Sequence, residues 1–309
     1  MVMSAGSYAD LLEPGLRTWF YEELGTPDPV MESLFGVSTS TKFEEHYQGQ
    51  GAIGLVPPWD GSVPFEDFDS GYVTNIRNYQ LVKGMQAERE LVDDDQYNVI
   101  EDRARNLGLA FKNTIETDAA NVFINAFTDS GTNRMGASTN GGDGVALLSA
   151  AHPQSPVNAG NTQANEGTLA LNMDNLDTTR QAMRNLTDDK GELVGINPDI
   201  LLVPSELERT AEQLVASRAL YEPGSAEFNV NMFAGRLRPV VWNRLTDSNA
   251  WFLIDSAKMK RFLKFQWRVR PEFKQAGPAV DDLLSKFVGY MRYGIGWTDW
   301  RWVYGQNPS

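Results

Sequence analysis

Between residues 100 and 126, apolar side chains recur at spacings of three and four: Ile100, Ala104, Leu107, Phe111, Ile115, Ala119, Val122 and Ala126. Only an α-helix brings residues so spaced onto one side, so the stripe predicts one amphipathic helix with a single face for a core. Asp93, Asp94 and Asp95 stand just ahead of it and offer an N-cap and the charge that a helix N-terminus favours. The helix is expected over residues 94–127, and at 1.5 Å per residue it reaches roughly 50 Å, well beyond the usual globular helix. A helix so long, apolar along one line only, is a spine on which a sheet lies.

What precedes the spine has little core of its own. In residues 1–48, Leu11, Leu12, Leu16, Trp19, Phe20 and Leu24 share a helical face, but Pro14 and Gly15 interrupt it and Thr26-Pro27-Asp28-Pro29 ends it. This reads as an arm that packs on something else. Residues 49–90 are β in character. Pro57, Pro58, Asp60 and Gly61 supply one turn and Asp69-Ser70-Gly71 another, with strands expected at 63–68 and 72–85. Such a segment predicts a long protruding hairpin, which is marginal in water unless it lies on a partner.

Beyond the spine the pattern is mixed, giving an α+β chain without internal repeats. Residues 131–167 are loop-rich, and a helix is expected at 176–186 and a buried strand at 200–203. Ser205 and Glu208 suggest a capping box for a helix carrying Leu207, Ala211, Leu214 and Val215. Residues 218–235 read as a surface loop. Strands are expected at 240–242, 251–254, 261–270 and 287–297. In the third of these Leu263, Phe265, Trp267 and Val269 alternate with Lys264, Gln266, Arg268 and Arg270.

Composition removes whole classes of chemistry. With no cysteine there is no disulfide frame, thiolate nucleophile or cysteine-held zinc. His46 and His152 are the only histidines; the first reads as a solvated loop residue, the second as structural in its Ala-Ala-His-Pro turn. No Gly-x-Ser-x-Gly elbow is present, and Gly141-Gly142-Asp143-Gly144 lacks the strand and helix of a phosphate-binding loop. Helix capping accounts for Asp93 to Asp95 better than calcium does. Acidic residues outnumber basic ones 41 to 27, a net charge of -14, the opposite of a protein built to grip phosphates. Lys258, Lys260, Arg261, Lys264, Arg268, Arg270 and Lys274 form the one basic cluster, read as a polar face meeting an acidic neighbour, with nucleic acid as the lesser reading. No stretch has the length of a membrane span, and the first residues lack signal-peptide character, so an intracellular, soluble protein is expected. Eight tryptophans keep a carbohydrate-active hydrolase open as a rival of another class.

The order of these segments carries a likeness. It includes Gly71-Tyr72, Lys83-Gly84-Met85 with Glu88-Arg89-Glu90-Leu91, Asp93-Asp94-Asp95-Gln96-Tyr97, and Ala119-Ala120-Asn121-Val122-Phe123 with Ala126-Phe127. It continues through Gly142-Asp143-Gly144-Val145, Leu147-Leu148-Ser149, Ala151-His152-Pro153, Pro198-Asp199, Leu201-Leu202-Val203-Pro204, Leu207-Glu208 and Gly296-Trp297-Thr298-Asp299. In this order the chain, from about residue 49 to 305, resembles the major capsid proteins of tailed phages with the Hong Kong 97 fold, nearest the Mu-type major head subunit.

The resemblance implies an N-arm (1–48), an E-loop hairpin (49–90) lying over a neighbouring subunit, a P-domain (91–175) with its spine helix, and an A-domain (176–257). Residues 258–309 return to the P-domain. It implies a non-enzymatic subunit without cofactor or metal, assembling into hexamers and pentamers of an icosahedral shell around double-stranded DNA held by weak contact. Scaffolding, portal and cement proteins are the expected partners, the virion its location and the host cytoplasm its place of assembly. The inter-subunit contact candidates are Trp59, Phe65, Phe68, Tyr72, Tyr79, Lys83, Arg89 and Glu90. Too few residues precede the hairpin for a scaffolding segment within the chain, so a separate scaffold or none is expected. Lys83 is a hairpin lysine, but no asparagine and acid pair with it for crosslinking. An encapsulin, which has the same fold around enzyme cargo, is the near alternative. Deleting residues 63–79 is expected to leave a folded subunit unable to form shells.

Overall fold

The computed structural model describes residues 5–25, 30–67, 69–88, 99–216, 219–220, 229–231, 233–276 and 284–308. In chain order the elements are α1 (Ala5–Leu24), α2 (Val30–Leu34), β1 (Gly36–Thr39), β2 (Glu44–Gln50), β3 (Ser70–Arg77), β4 (Tyr79–Glu88) and the long α3 (Val99–Ile124). Next come β5 (His152–Pro153), β6 (Thr162–Gln163), β7 (Glu166–Gly167), α4 (Met173–Arg184), β8 (Ile200–Val203) and α5 (Glu208–Ala216). The chain ends with β9 (Ala219–Leu220), β10 (Asn229–Val230), β11 (Arg238–Val241), β12 (Trp251–Ile254), α6 (Ser256–Phe262), β13 (Leu263–Ala276), β14 (Leu284–Trp297) and β15 (Val303–Gln306). Two sheets carry the body, one ordered β1-β13-β14-β4 and the other β11-β8-β12-β15-β7.

The spine helix joins them. Its predicted stripe is buried from Ile100 to Val122. Phe111 lies over Gly289 of β14, where an added Cβ would stand 2.6 Å from the ring, so the glycine is what lets helix and sheet approach. At the other end Phe123 packs edge-on against Phe252 of the five-stranded sheet and against Trp242 and Trp302, which flank its strands β11 and β15. Asp118, buried in the C-terminal third of the helix, accepts from Arg134 (2.8 Å) and from the Tyr293 hydroxyl (2.5 Å), tying the following loop and β14 to the spine. Burial and the Asp118 charge push the Tyr293 hydroxyl far above the ordinary tyrosine range.

Several expectations change. Helix α1 runs through Pro14, because burying Leu16 and Phe20 outweighs the helix bond that proline removes. Phe20 packs on Phe111 and Phe273, so this part of the arm rests on its own subunit. Residues 63–67 are not a strand: Pro64 withholds a ladder donor within them. The hairpin instead pairs β2 with β3, leaving 51–69 as its loop, while β4 joins the main sheet beside β14. Ser205 opens a 3-10 turn and donates to Asn243 rather than capping a helix. Asp255 caps α6 by accepting from the Lys258 amide, so Lys258, Lys260 and Arg261 lie on a helix and β13 begins at Leu263. Within the expected surface loop 218–235, Phe233 is buried and sits under the Arg180 guanidinium. Asp93, Asp94 and Asp95, and residues 221–228 of that loop, lie outside the described residues.

The far face of β14 carries a second enforced glycine. A Cβ on Gly294 would come within 2.6 Å of the Arg77 carbonyl. Gly294→Ala should therefore destabilise the subunit by about 1–3 kcal/mol through overpacking, read as a lowered denaturant midpoint at unchanged slope.

Candidate assembly surfaces

The hairpin is seated on the sheet by two buried amides. Asn78, between β3 and β4, donates from Nδ2 to the Ser40 hydroxyl and the Lys42 carbonyl, both at 2.9 Å. Its Oδ1 accepts from Gln266 Nε2 at 3.1 Å. Gln266, on β13, also donates to the Ile76 carbonyl (2.9 Å) and accepts from the Tyr47 hydroxyl (3.1 Å). Buried amides hold a fixed angle only when every group is paired, as here. Burial beneath the ribbon, with the Glu45 charge near, raises the Tyr47 pKa.

From this root the loop 51–69 runs outward. Its base is closed by Gly51 N–H donating to the Asp69 carbonyl and Ala52 N–H to Asp189, both at 2.8 Å. Lys190 reaches Glu66 at 2.8 Å and Asp69 at 3.3 Å. The Lys190 ammonium, with help from the Gly54 N–H, holds the Glu66 carboxyl below its ordinary range, and Glu66 in turn raises Lys190. Beyond this latch the apolar side chains have no cover: Phe65 is 94% and Trp59 75% exposed. Ile53, Leu55, Val56 and Val63 are exposed with them. Sequence reading passed over these four, although an apolar run studded with proline and glycine was a usable signal.

The other candidates are scattered. Tyr72 is half-buried at the loop end of the ribbon, lining a cavity of roughly 220 Å³ with Trp297, Trp300, Asp143 and Asp189. Tyr79 is half-buried at the start of β4, and Lys83 is exposed farther along it. Phe68, Arg89 and Glu90 lie outside the described residues. His46 is on β2, not in a loop, 2.6 Å from Asn75. His152 is buried and stacked on Trp300 at 4.3 Å, with Asp143 at 2.7 Å on Nδ1. Of the basic cluster, Lys260, Arg261, Arg270 and Lys274 are exposed. Lys264 is depressed by burial and by Arg261 beside it. The tryptophans that suggested sugar platforms are mostly core: Trp242, Trp251, Trp267, Trp297, Trp300 and Trp302 are buried. Among the described residues there is no metal-competent group of His, Asp and Glu, and no helix long and apolar enough to cross a membrane.

A spine helix bridging two sheets, with a root-anchored hairpin, is the architecture of Hong Kong 97-like shell proteins. The capsid of bacteriophage JBD30 superposes with TM-score 0.57 at 15% identity, covering 72% of this chain and 92% of that one. The capsid of cyanophage P-SCSP1u gives 0.58 at 13%, covering 91% and 88%. A virus-like particle from Pyrococcus furiosus gives 0.52 at 11%, covering 95% and 98%. No curated protein matches the chain. Residues 76–305 match the model of the phage capsid protein family. The chain belongs to that family and is a capsid subunit.

The latch has a pH signature. A carboxyl whose folded pKa is lowered contributes above its unfolded value of about 4.3 and loses that contribution as pH falls through the folded value. The Gly54 amide, which donates to Glu66 at 3.1 Å, should exchange faster as pH falls through that window, beyond the intrinsic trend. At neutral pH, Lys190→Gln should speed its exchange roughly two- to fivefold with an unchanged melting temperature. Equal protection in both proteins would show that Lys190 does not hold the loop.

Proposed function

We propose that this chain is the major head protein of a tailed phage, building hexamers and pentamers of an icosahedral shell around double-stranded DNA. The carrying observation is the loop 51–69, which exposes Trp59 and Phe65 while its root is held by buried amides. Exposed aromatic side chains on a fixed support mark a protein interface, and symmetric closure repeats one such contact around the shell. In this reading the loop lies over a neighbouring subunit as the E-loop, and Tyr72, Tyr79 and Lys83 border that contact. Phe68, Arg89 and Glu90 are kept as contact candidates on the resemblance alone. Residues 91–175 act as the P-domain and 176–257 as the A-domain.

The subunit has no catalytic task in this reading. A scaffold, a portal and a cement protein are the partners that fit assembly in the host cytoplasm; a structural neighbour's capsid is decorated with minor capsid protein trimers. The net charge of -14 keeps contact with the genome weak. An encapsulin-type shell around enzyme cargo is the second reading, and the Pyrococcus virus-like particle shares the fold; the contents of purified particles separate the two.

The structure also relocates the decisive deletion. Residues 63–79 include Thr74, Ile76 and Asn78, which are buried in the root, so removing them damages the fold. Replacing 53–65 by a short Gly-Ser linker should leave a folded subunit, with melting within a few degrees of wild type, and no shells in sedimentation or negative-stain images. Normal shells from this variant would refute the clamp.

A further inference from the structure

The outer face of the β2–β3 ribbon carries a side chain that the subunit positions but does not use. Arg77 ends β3 and is exposed. Its guanidinium carbon lies 4.6 Å from the centre of the Phe43 ring and 5.3 Å from that of Tyr79. Both rings are set by fixed backbone. The Asn78 N–H donates to the Phe43 carbonyl at 3.0 Å, and Tyr79 pairs with Tyr293 of β14. Stacking over rings orients a guanidinium without consuming its N–H groups.

The expected partner within the chain is turned away. Glu44 stands directly across the ladder from Arg77, where opposite charges ordinarily pair. Its carboxylate instead lies 3.8 Å from His46. Among the described residues no carboxylate pairs with Arg77 and no acceptor takes its hydrogens. Phe43 remains 56% exposed beside it. A planar fork held over aromatic rings with all donors open is suited to two-point binding of an oxyanion.

We propose that Arg77 is an inter-subunit anchor that receives a carboxylate from a second copy of this chain. The proposal rests on the shell reading above. Two observations favour a carboxylate over a nucleic-acid phosphate. Acidic residues outnumber basic ones 41 to 27, so a neighbouring copy is rich in carboxylates while the whole chain repels a polyanion. The ribbon that carries Arg77 also runs directly into the loop 51–69, the segment that the shell reading places on the neighbour.

The test compares particles of the full chain with those of Arg77→Gln and Arg77→Lys. Neither variant removes a side-chain hydrogen bond of the monomer, and Arg77→Gln gives up only a weak, exposed ring contact, so both should melt within a few degrees of wild type. Arg77→Gln should weaken subunit association about tenfold, the loss of one two-point ionic contact, read as a higher critical concentration for assembly. Arg77→Lys places an amine at the same site. Carbodiimide treatment of its particles, assembled from mixed isotopically light and heavy copies, should yield mixed-label crosslinks from position 77 to an Asp or Glu peptide. Crosslinks only within one copy, such as to Glu44, would overturn the proposal. So would wild-type assembly by Arg77→Gln, with the shell reading intact. Normal assembly with reduced DNA content would assign the site to phosphate instead. Failure of the wild-type chain to form particles, even with its scaffold co-expressed, would remove the shell reading and this proposal together.

Discussion

Two antiparallel strands of fourteen residues, β13 and β14, present two long faces, and the rest of the subunit follows from how each is covered. One face is aromatic: Phe265, Trp267, Phe273, Phe287 and Tyr293 are buried, with Phe273 against Phe20 of α1 and Tyr293 against Asp118 of α3. Only a helix about as long as the strands can shield such a face continuously, which accounts for the length of the spine. The other face is stripped at Gly294 and Gly296, where side chains would strike Arg77, Asn78 and Ile76. One strand therefore meets different requirements on its two sides, bulk toward the helix except at Gly289, where Phe111 seats, and none at Gly294 and Gly296 toward the ribbon. The ribbon can sit only where the glycines leave room.

That seat decides what the hairpin can do. Burying the amides of Asn78 and Gln266 adds little net stability, since each bond replaces one to water. Leaving any of them unpaired is costly, so the network selects a single ribbon angle. A loop projecting from a root of one angle reaches a neighbour at a defined place. A thin, apolar loop can then serve as an interface without a core of its own, because the ordering cost has been met at the root before assembly begins.

The sequence was most readable where one rule acts alone. The stripe of α3 and the apolar runs Ile200–Val203 and Trp251–Ile254 satisfy a single periodicity or a single burial demand, and their placement was legible. Strand β2, Glu-Glu-His-Tyr-Gln-Gly-Gln, was not, because it is polar on both faces and is ordered by pairing with β3 and by Tyr47 reaching Gln266. Strand signals in 63–68 misled for the reverse reason: Val and Phe there suit a strand, while proline removes its donors. The Trp59 and Phe65 candidates were legible as aromatic residues in a segment without a core. Arg77 was not, since its setting depends on Phe43, distant in sequence and brought alongside only by the ribbon.

Structures at 11–15% identity keep this fold, and the physical requirements explain how. An apolar stripe, a glycine under a helix, a glycine under a ribbon and a proline-broken exposed loop can each be met by many sequences. None demands a particular motif, which is why the resemblance lay in the order of segments. Interfaces obey a different rule. A contact between copies needs complementary shape and charge at matched positions on one chain, so it is specific to that chain and is not inherited with the architecture. The shell-forming character of this protein therefore follows from its family, whereas the residues that join one copy to the next must be sought on its own surface. There, among the described residues, uncovered aromatic side chains and a pre-oriented arginine without a carboxylate partner are features that the isolated subunit leaves unsatisfied.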